Sequence, residues 1–225
     1  MPLIVFEGSE GVGKTTQVAL THKYLWEKFP GKVIQSQEPG GTPLAQKIRE
    51  IFKSDGLDCE SLHPLSELHL LCAARNQHVQ YFLKPQLGCG NWVICDRFLD
   101  STYVYQCLLN GLSKELVDSY HLPILNGFVP DLTIVLGVDP PSHETWDTLR
   151  LRLRDRESAS DRYDGAGKHI HLALLRGYQE LLRLDWNYPC GTRPHRIFVN
   201  ALNSKEIIAS QIQQALEPLV QRDHG

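Results

Sequence analysis

Long apolar runs are missing from this chain of 225 residues. No stretch approaches the roughly 20 residues that a membrane span needs. The opening MPLIVFEG is too short, and too soon followed by charge, for a signal peptide. A basic surplus is missing as well: the formal net charge is −3, so nucleic-acid binding is not the default. Any substrate phosphate must be met by a few placed arginines. Six cysteines (Cys59, Cys72, Cys89, Cys95, Cys107, Cys190) include no C-x-x-C pair, and several lie in apolar runs. Buried free thiols in a reducing compartment are expected, not a disulfide framework. The ten histidines do not cluster as ligands, and His169 and His171, two apart on an expected helix, point to different faces. Repeats, low-complexity tracts and linkers are also lacking. These absences predict a cytoplasmic protein with no membrane or nucleic-acid partner.

What is present is ordinary globular composition, 42% hydrophobic and 22% charged, and enough chain for one compact domain with a full core. Short apolar runs at 2–6, 33–36, 92–95, 131–138 and 196–200 read as strands buried on both faces. Between them lie helical patterns. One carries Val18, His22, Leu25 and Phe29 on one face; others cover 43–52, 64–87, 101–109, 114–127 and 169–184. A last one has Ile208, Ile212, Leu216 and Leu219 on one side. The β-α-β-α order predicts an α/β fold, a parallel sheet covered by helices on both faces, over residues 1–225.

Gly8-Ser9-Glu10-Gly11-Val12-Gly13-Lys14-Thr15 fits G-x-x-x-x-G-K-[ST], and it stands after a strand and opens a helix. Glycines let backbone N–H groups turn inward around phosphate oxygens, and the helix N-terminus adds its positive dipole end. Lys14 can reach the β- and γ-phosphates, the Thr15 hydroxyl can ligate Mg²⁺, and Thr16 continues the motif. The motif specifies ATP-type phosphate binding without naming an acceptor.

Asp96-Arg97 follows the strand at 92–95. A carboxylate there lies at the sheet's carboxyl edge beside the phosphate loop, where Asp96 could hold Mg²⁺, directly or through water, and Arg97 a second phosphate. Between 145 and 164 arginines fall at 150, 152, 154, 156 and 162, interrupting the hydrophobic pattern. Phosphoryl transfer spreads negative charge over equatorial oxygens, so this segment, at about 150–165, reads as an arginine lid.

The segments GSEGVGKTT, QEPGGT, AARNQH, CDRFLDSTYVYQ and DRYDG occur in the order and approximate spacing of bacterial thymidylate kinases, which the chain resembles over nearly its whole length. That resemblance implies transfer of a phosphoryl group from ATP to dTMP, with Mg²⁺, by a homodimer. It puts Glu10 near the deoxyribose 3′-hydroxyl and metal region, Glu38 and Arg49 near the monophosphate, and Arg97 on the acceptor phosphate. Arg75 would meet the thymine edge, Thr102 and Gln106 would line the base pocket, and Tyr105 would pack under the sugar. Gly11 stands where some members carry a catalytic arginine, so the lid must supply it; Arg154, Arg156 and Arg162 are the candidates, with Arg162 in the matching DR pair. Other departures are Leu71 for a Phe that stacks on thymine, Gln37 for Arg, Phe98 for Tyr or His, and Gly137 for a polar residue. Leu71 leaves an apolar wall without aromatic stacking, and it keeps open a kinase for another pyrimidine nucleotide or deoxynucleoside. A nucleotide-binding protein without transfer is the remaining alternative.

Overall fold

A computed structural model of the chain describes residues 1–53, 62–154 and 168–224. Its sheet has five strands: β1 (Leu3–Glu7), β2 (Val33–Gln37), β3 (Trp92–Asp96), β4 (Leu132–Gly137) and β5 (Arg196–Asn200). The order is β2-β3-β1-β4-β5, and every neighbouring pair is parallel. All five fall where the apolar runs place them. The central β1 lies between β3 and β4, so the strand order switches direction beside it. In open parallel sheets the crevice at such a point, beyond the carboxyl ends, is where ligands bind.

The helices are α1 (Lys14–Lys28), α2 (Pro43–Lys53), α3 (Pro64–His78), α4 (Lys84–Gly88), α5 (Leu99–Thr102), α6 (Lys114–Leu125), α7 (His143–Arg154), α8 (Lys168–Leu184) and α9 (Lys205–His224). Successive strand residues point to opposite faces, and β1 shows what each face meets. Ile4 and Phe6 pack with Val18 and Leu25 of α1, Trp146 and Leu149 of α7, and Ile208, Ile212 and Leu216 of α9. Leu3 and Val5 pack with Leu68 and Cys72 of α3, Val117 of α6 and Tyr178 of α8. Among the described residues no helix is long and apolar enough to cross a membrane.

The structure departs from the sequence reading in three places. A π-helical turn, Val79–Leu83, separates α3 from α4 where one uninterrupted helix is predicted. The predicted helix over 101–109 is a short α-turn, α5, followed by a π-helical segment, Tyr103–Leu109. The wider turn buries five consecutive residues, Tyr103 to Cys107; π-turns recur at functional sites. The third is α7. Its arginines draw attention to charge, yet Trp146 and Leu149, three apart on one helix face, are in the core. The arginine-rich stretch thus begins as the exposed side of a packed helix, with Arg150 outward.

Candidate active site

The phosphate loop runs from the end of β1 to the start of α1. Gly8 has φ +139, and a Cβ there would lie 2.3 Å from the Leu136 carbonyl oxygen of β4. Only glycine lets the chain leave the sheet this close to its neighbour. α1 starts after Gly13 with no side-chain cap, so its first N–H groups face the loop, the arrangement that binds anions. Val12 and Ser9 are buried beneath it; Thr15 and Thr16 are exposed. Lys14 is buried, and its Nζ donates to the carbonyls of Gly8 (2.9 Å) and Ser9 (2.8 Å). Burial lowers its pKa first and Arg97 second, against Glu10, Asp96 and Glu7, which raise it.

Beside the loop, β3 delivers Asp96 and Arg97. Arg97 has φ +71 and its backbone N–H donates to the Phe6 carbonyl of β1 (2.8 Å). Its guanidinium ion-pairs with Glu10 of the loop, donates to Ser101 Oγ (3.1 Å) and Tyr178 Oη (3.0 Å), and lies 5.4 Å over the Tyr105 ring. Asp96 Oδ1 is buried without a hydrogen-bond partner among the described residues. A buried carboxylate oxygen in that condition suits a cation, and with the Thr15 hydroxyl it gives the oxygen donors that Mg²⁺ takes.

Below Arg97 sits Glu7, wholly buried. Its Oε1 accepts from the N–H groups of Phe98 (2.8 Å) and Ser101 (3.1 Å). Its Oε2 accepts from the hydroxyls of Ser101 (2.6 Å) and Tyr178 (3.0 Å). Burial, then the nearby Asp100, push its carboxyl up to about 7, with Arg97 opposing.

A second buried cluster is built on α3. Arg75 and His78, one turn apart, share a face. Arg75 Nε donates to Glu38 Oε2 (2.7 Å), Nη1 to Thr102 Oγ1 (2.9 Å) and to His121 Nε2 (2.6 Å), and Nη2 to the Phe98 carbonyl (2.9 Å). His121 Nδ1 donates to the Val117 carbonyl (2.8 Å), which leaves Nε2 as the acceptor for Arg75. Burial and then Arg75 push its imidazole down to about 3, so it stays neutral. His78 Nδ1 donates to Glu38 Oε1 (2.9 Å). Burial raises the Glu38 carboxyl, but Arg75 and His78 outweigh it and the net shift is downward.

Gly41 in the QEPGG turn closes this cluster. It has φ +78, and a Cβ there would meet His78 Cδ2 at 2.2 Å and Ser36 Oγ at 2.7 Å. Gly41→Ala is therefore expected to dislodge His78 and slacken the Glu38–Arg75 pair. The expected loss is about 1–3 kcal/mol of stability, with a raised KM for the acceptor nucleotide and an unchanged KM for ATP. Urea unfolding and initial rates with each substrate varied check both parts.

The sequence-named residues thus form two groups, with the remainder placed singly. Lys14, Glu10, Asp96, Arg97 and Tyr105 come together at the sheet edge. Glu38, Arg75 and Thr102 form the adjoining cluster. Gln106 lies buried nearby in sequence to Tyr105 with its Oε1 unpartnered among the described residues, Leu71 is half-buried on α3, and Arg49 donates to the Pro39 carbonyl (2.9 Å). Arg154 ends α7; Arg156 and Arg162 lie outside the described residues. Glu7, His78, Ser101, His121 and Tyr178 were not anticipated. Glu7 carried a readable signal, a charge ending an apolar strand just before the loop, and His78 stands in the AARNQH segment one turn past Arg75.

A Gly-rich phosphate loop between β1 and α1, with an Asp–Arg pair on the next strand at the carboxyl edge of a parallel sheet, makes this a P-loop phosphotransferase fold. The thymidylate kinase family model matches residues 6–185. A thymidylate kinase of Mesoplasma florum is 37% identical over 215 residues, covering 93% of this chain and 96% of that protein. One from Bartonella quintana is 34% identical over 218 residues, covering 96% and 95%. The crystal structure of the Ehrlichia chaffeensis thymidylate kinase superposes with a TM-score of 0.70 at 26% identity, covering 96% of this chain and 98% of that one. The chain belongs to the thymidylate kinase family.

Proposed function

We propose that the protein transfers the γ-phosphoryl group of ATP to dTMP, giving dTDP and ADP. The observation that carries this reading is the Glu10–Arg97 ion pair, which joins the phosphate loop to the strand end expected to hold the acceptor. ATP takes the loop, with Lys14 on its phosphates. Thr15 and Asp96 would hold Mg²⁺, which would supply positive charge to neutralise phosphate oxygens. Arg97 and Arg49 take the acceptor phosphate, Glu10 faces the 3′-hydroxyl, and Tyr105 packs under the sugar. Gln106, Thr102 and Leu71 line the base. Arg75 gives its Nε, Nη1 and one Nη2 hydrogen to the protein, so one Nη2 N–H is its share for the thymine edge. The lid at about 150–165 brings Arg154, Arg156 and Arg162. Catalysis is then positioning and charge neutralisation around an in-line transfer, with no covalent intermediate.

A homodimer is part of this reading. Leu122 of α6 is 50% exposed and Tyr81, after α3, is 73% exposed, and the two elements are linked by Gln80 Nε2 donating to the Ile124 carbonyl. The buried free thiols Cys72, Cys95 and Cys107 suit a reducing cytoplasm. ADP release with ATP and Mg²⁺ tests the activity, with dTMP, dUMP, dCMP, dGMP and no acceptor run in parallel. Turnover is expected with dTMP and is expected to vanish with EDTA. Release that ignores the acceptor, or that favours another monophosphate, sinks the dTMP assignment.

A further inference from the structure

We propose that Glu7, Ser101 and Tyr178 form a carboxylate–hydroxyl relay that positions the Arg97 guanidinium, with Glu7 as its anchor. The inference rests on the reading above, in which Arg97 holds the acceptor phosphate.

Arg97 does not touch Glu7. Its Nη1 donates to Ser101 Oγ and Tyr178 Oη at 3.1 and 3.0 Å, and those two oxygens are 2.9 Å apart. Each hydroxyl has one proton. Both protons go to Glu7 Oε2, at 2.6 and 3.0 Å. The carboxylate thereby turns both oxygen lone pairs toward Arg97. Its other oxygen takes the backbone N–H groups of Phe98 and Ser101, fixing the turn that carries Arg97. Four parts of the fold meet here: β1 just ahead of the phosphate loop, the β3–α5 turn, α5 and α8.

Four donors point at one side chain, a demand only a carboxylate meets. A glutamine at this position has one acceptor oxygen. Facing it to the backbone puts its NH₂ against the two hydroxyls, whose lone pairs are then drawn from Arg97 to the amide and whose protons lose the carboxylate that held them. Flipping it puts the NH₂ against two backbone N–H groups. Either way Arg97 loses its seat while the phosphate loop keeps its own.

The test is Glu7→Gln, Ser101→Ala and Tyr178→Phe, each alone and combined with Arg97→Ala. Assays run at pH 8, where the Glu7 carboxyl, at about 7, is mainly ionised. Glu7→Gln is expected to raise the KM for dTMP about tenfold or more, the scale seen when the groups that orient metal-ligating side chains are removed. Ser101→Ala and Tyr178→Phe are expected to give smaller rises. The KM for ATP is expected to stay within about twofold throughout. By titration calorimetry, none of the three is expected to weaken dTMP binding further once Arg97 is alanine. Additive losses in that background, or equal shifts in both KM values, overturn the relay and leave Glu7 a fold residue. Tyr178→Phe and Ser101→Ala lose one hydroxyl each, so they carry the test if Glu7→Gln does not fold. Wild-type protein that binds and turns over no dTMP overturns the acceptor reading instead, and the relay's role with it; that result is read without any variant.

Discussion

Replacing Arg196 with methionine is expected to lower stability by about 3–5 kcal/mol, as breaking one side of a buried ion pair does. Arg196 opens β5, and its guanidinium forks onto Asp100 of α5 through Nε (2.6 Å) and Nη2 (2.7 Å). The two side chains are 3% and 0% exposed. Nη1 also donates to the Trp186 carbonyl (2.9 Å). Burial lowers the arginine's pKa, but its hydrogen bonds and attraction to Asp100 outweigh that and the net shift is upward. Without the guanidinium, Asp100 keeps its burial and loses its partner. Most of the loss is then the cost of an isolated charge, not the worth of the pair. The double variant Asp100→Asn with Arg196→Met should recover more than half of the loss. Urea unfolding decides it. A single-variant loss under about 1 kcal/mol, or a double variant as poor as the sum of the singles, contradicts this account.

This pair also shows where a sequence stops being legible. The strands and the phosphate loop are local patterns, an apolar run or a motif within eight residues, so their spacing alone places them. Asp100 and Arg196 are 96 residues apart, and Tyr178 and Glu7 are 171 apart. No periodicity links such partners; only the order of the parallel strands brings them together. Arg75 marks the middle case. Its motif flags it as functional, but not that Glu38, Thr102 and His121 already claim its donors, because they come from β2's end, α5 and α6. Gly137 was legible only as a departure from the family. The structure supplies a reason: a Cβ there would meet the Phe198 ring of β5 at 3.0 Å. The wider turn at Tyr103–Leu109 had no signature, since a π-helical segment and an α-helix present the same kind of apolar face.

The second large effect is expected at Lys14, and it separates folding from activity. Lys14 is 5% exposed, and its hydrogen bonds, 2.9 and 2.8 Å, go to two backbone carbonyls. Carbonyl oxygens bear only partial charge, so they offset the desolvation of an ammonium incompletely, and burial with the repulsion of Arg97 outweighs the attraction of Glu10, Asp96 and Glu7. In the protein alone the residue therefore contributes little or negative stability. With phosphates in the loop the balance reverses, because the ammonium then faces full negative charge that grows on the transferring group. Lys14→Ala should unfold at the same temperature as the wild type or higher, while kcat falls about 10²–10³-fold, the scale for removing one such donor. Lys14→Arg should not restore turnover: its planar fork cannot take the place of a compact charge between the Gly8 and Ser9 carbonyls. Thermal melts beside single-turnover rates check the separation. A Lys14→Ala protein that melts several degrees lower, or that turns over within about tenfold of wild type, shows that this buried charge serves the fold and not the phosphate.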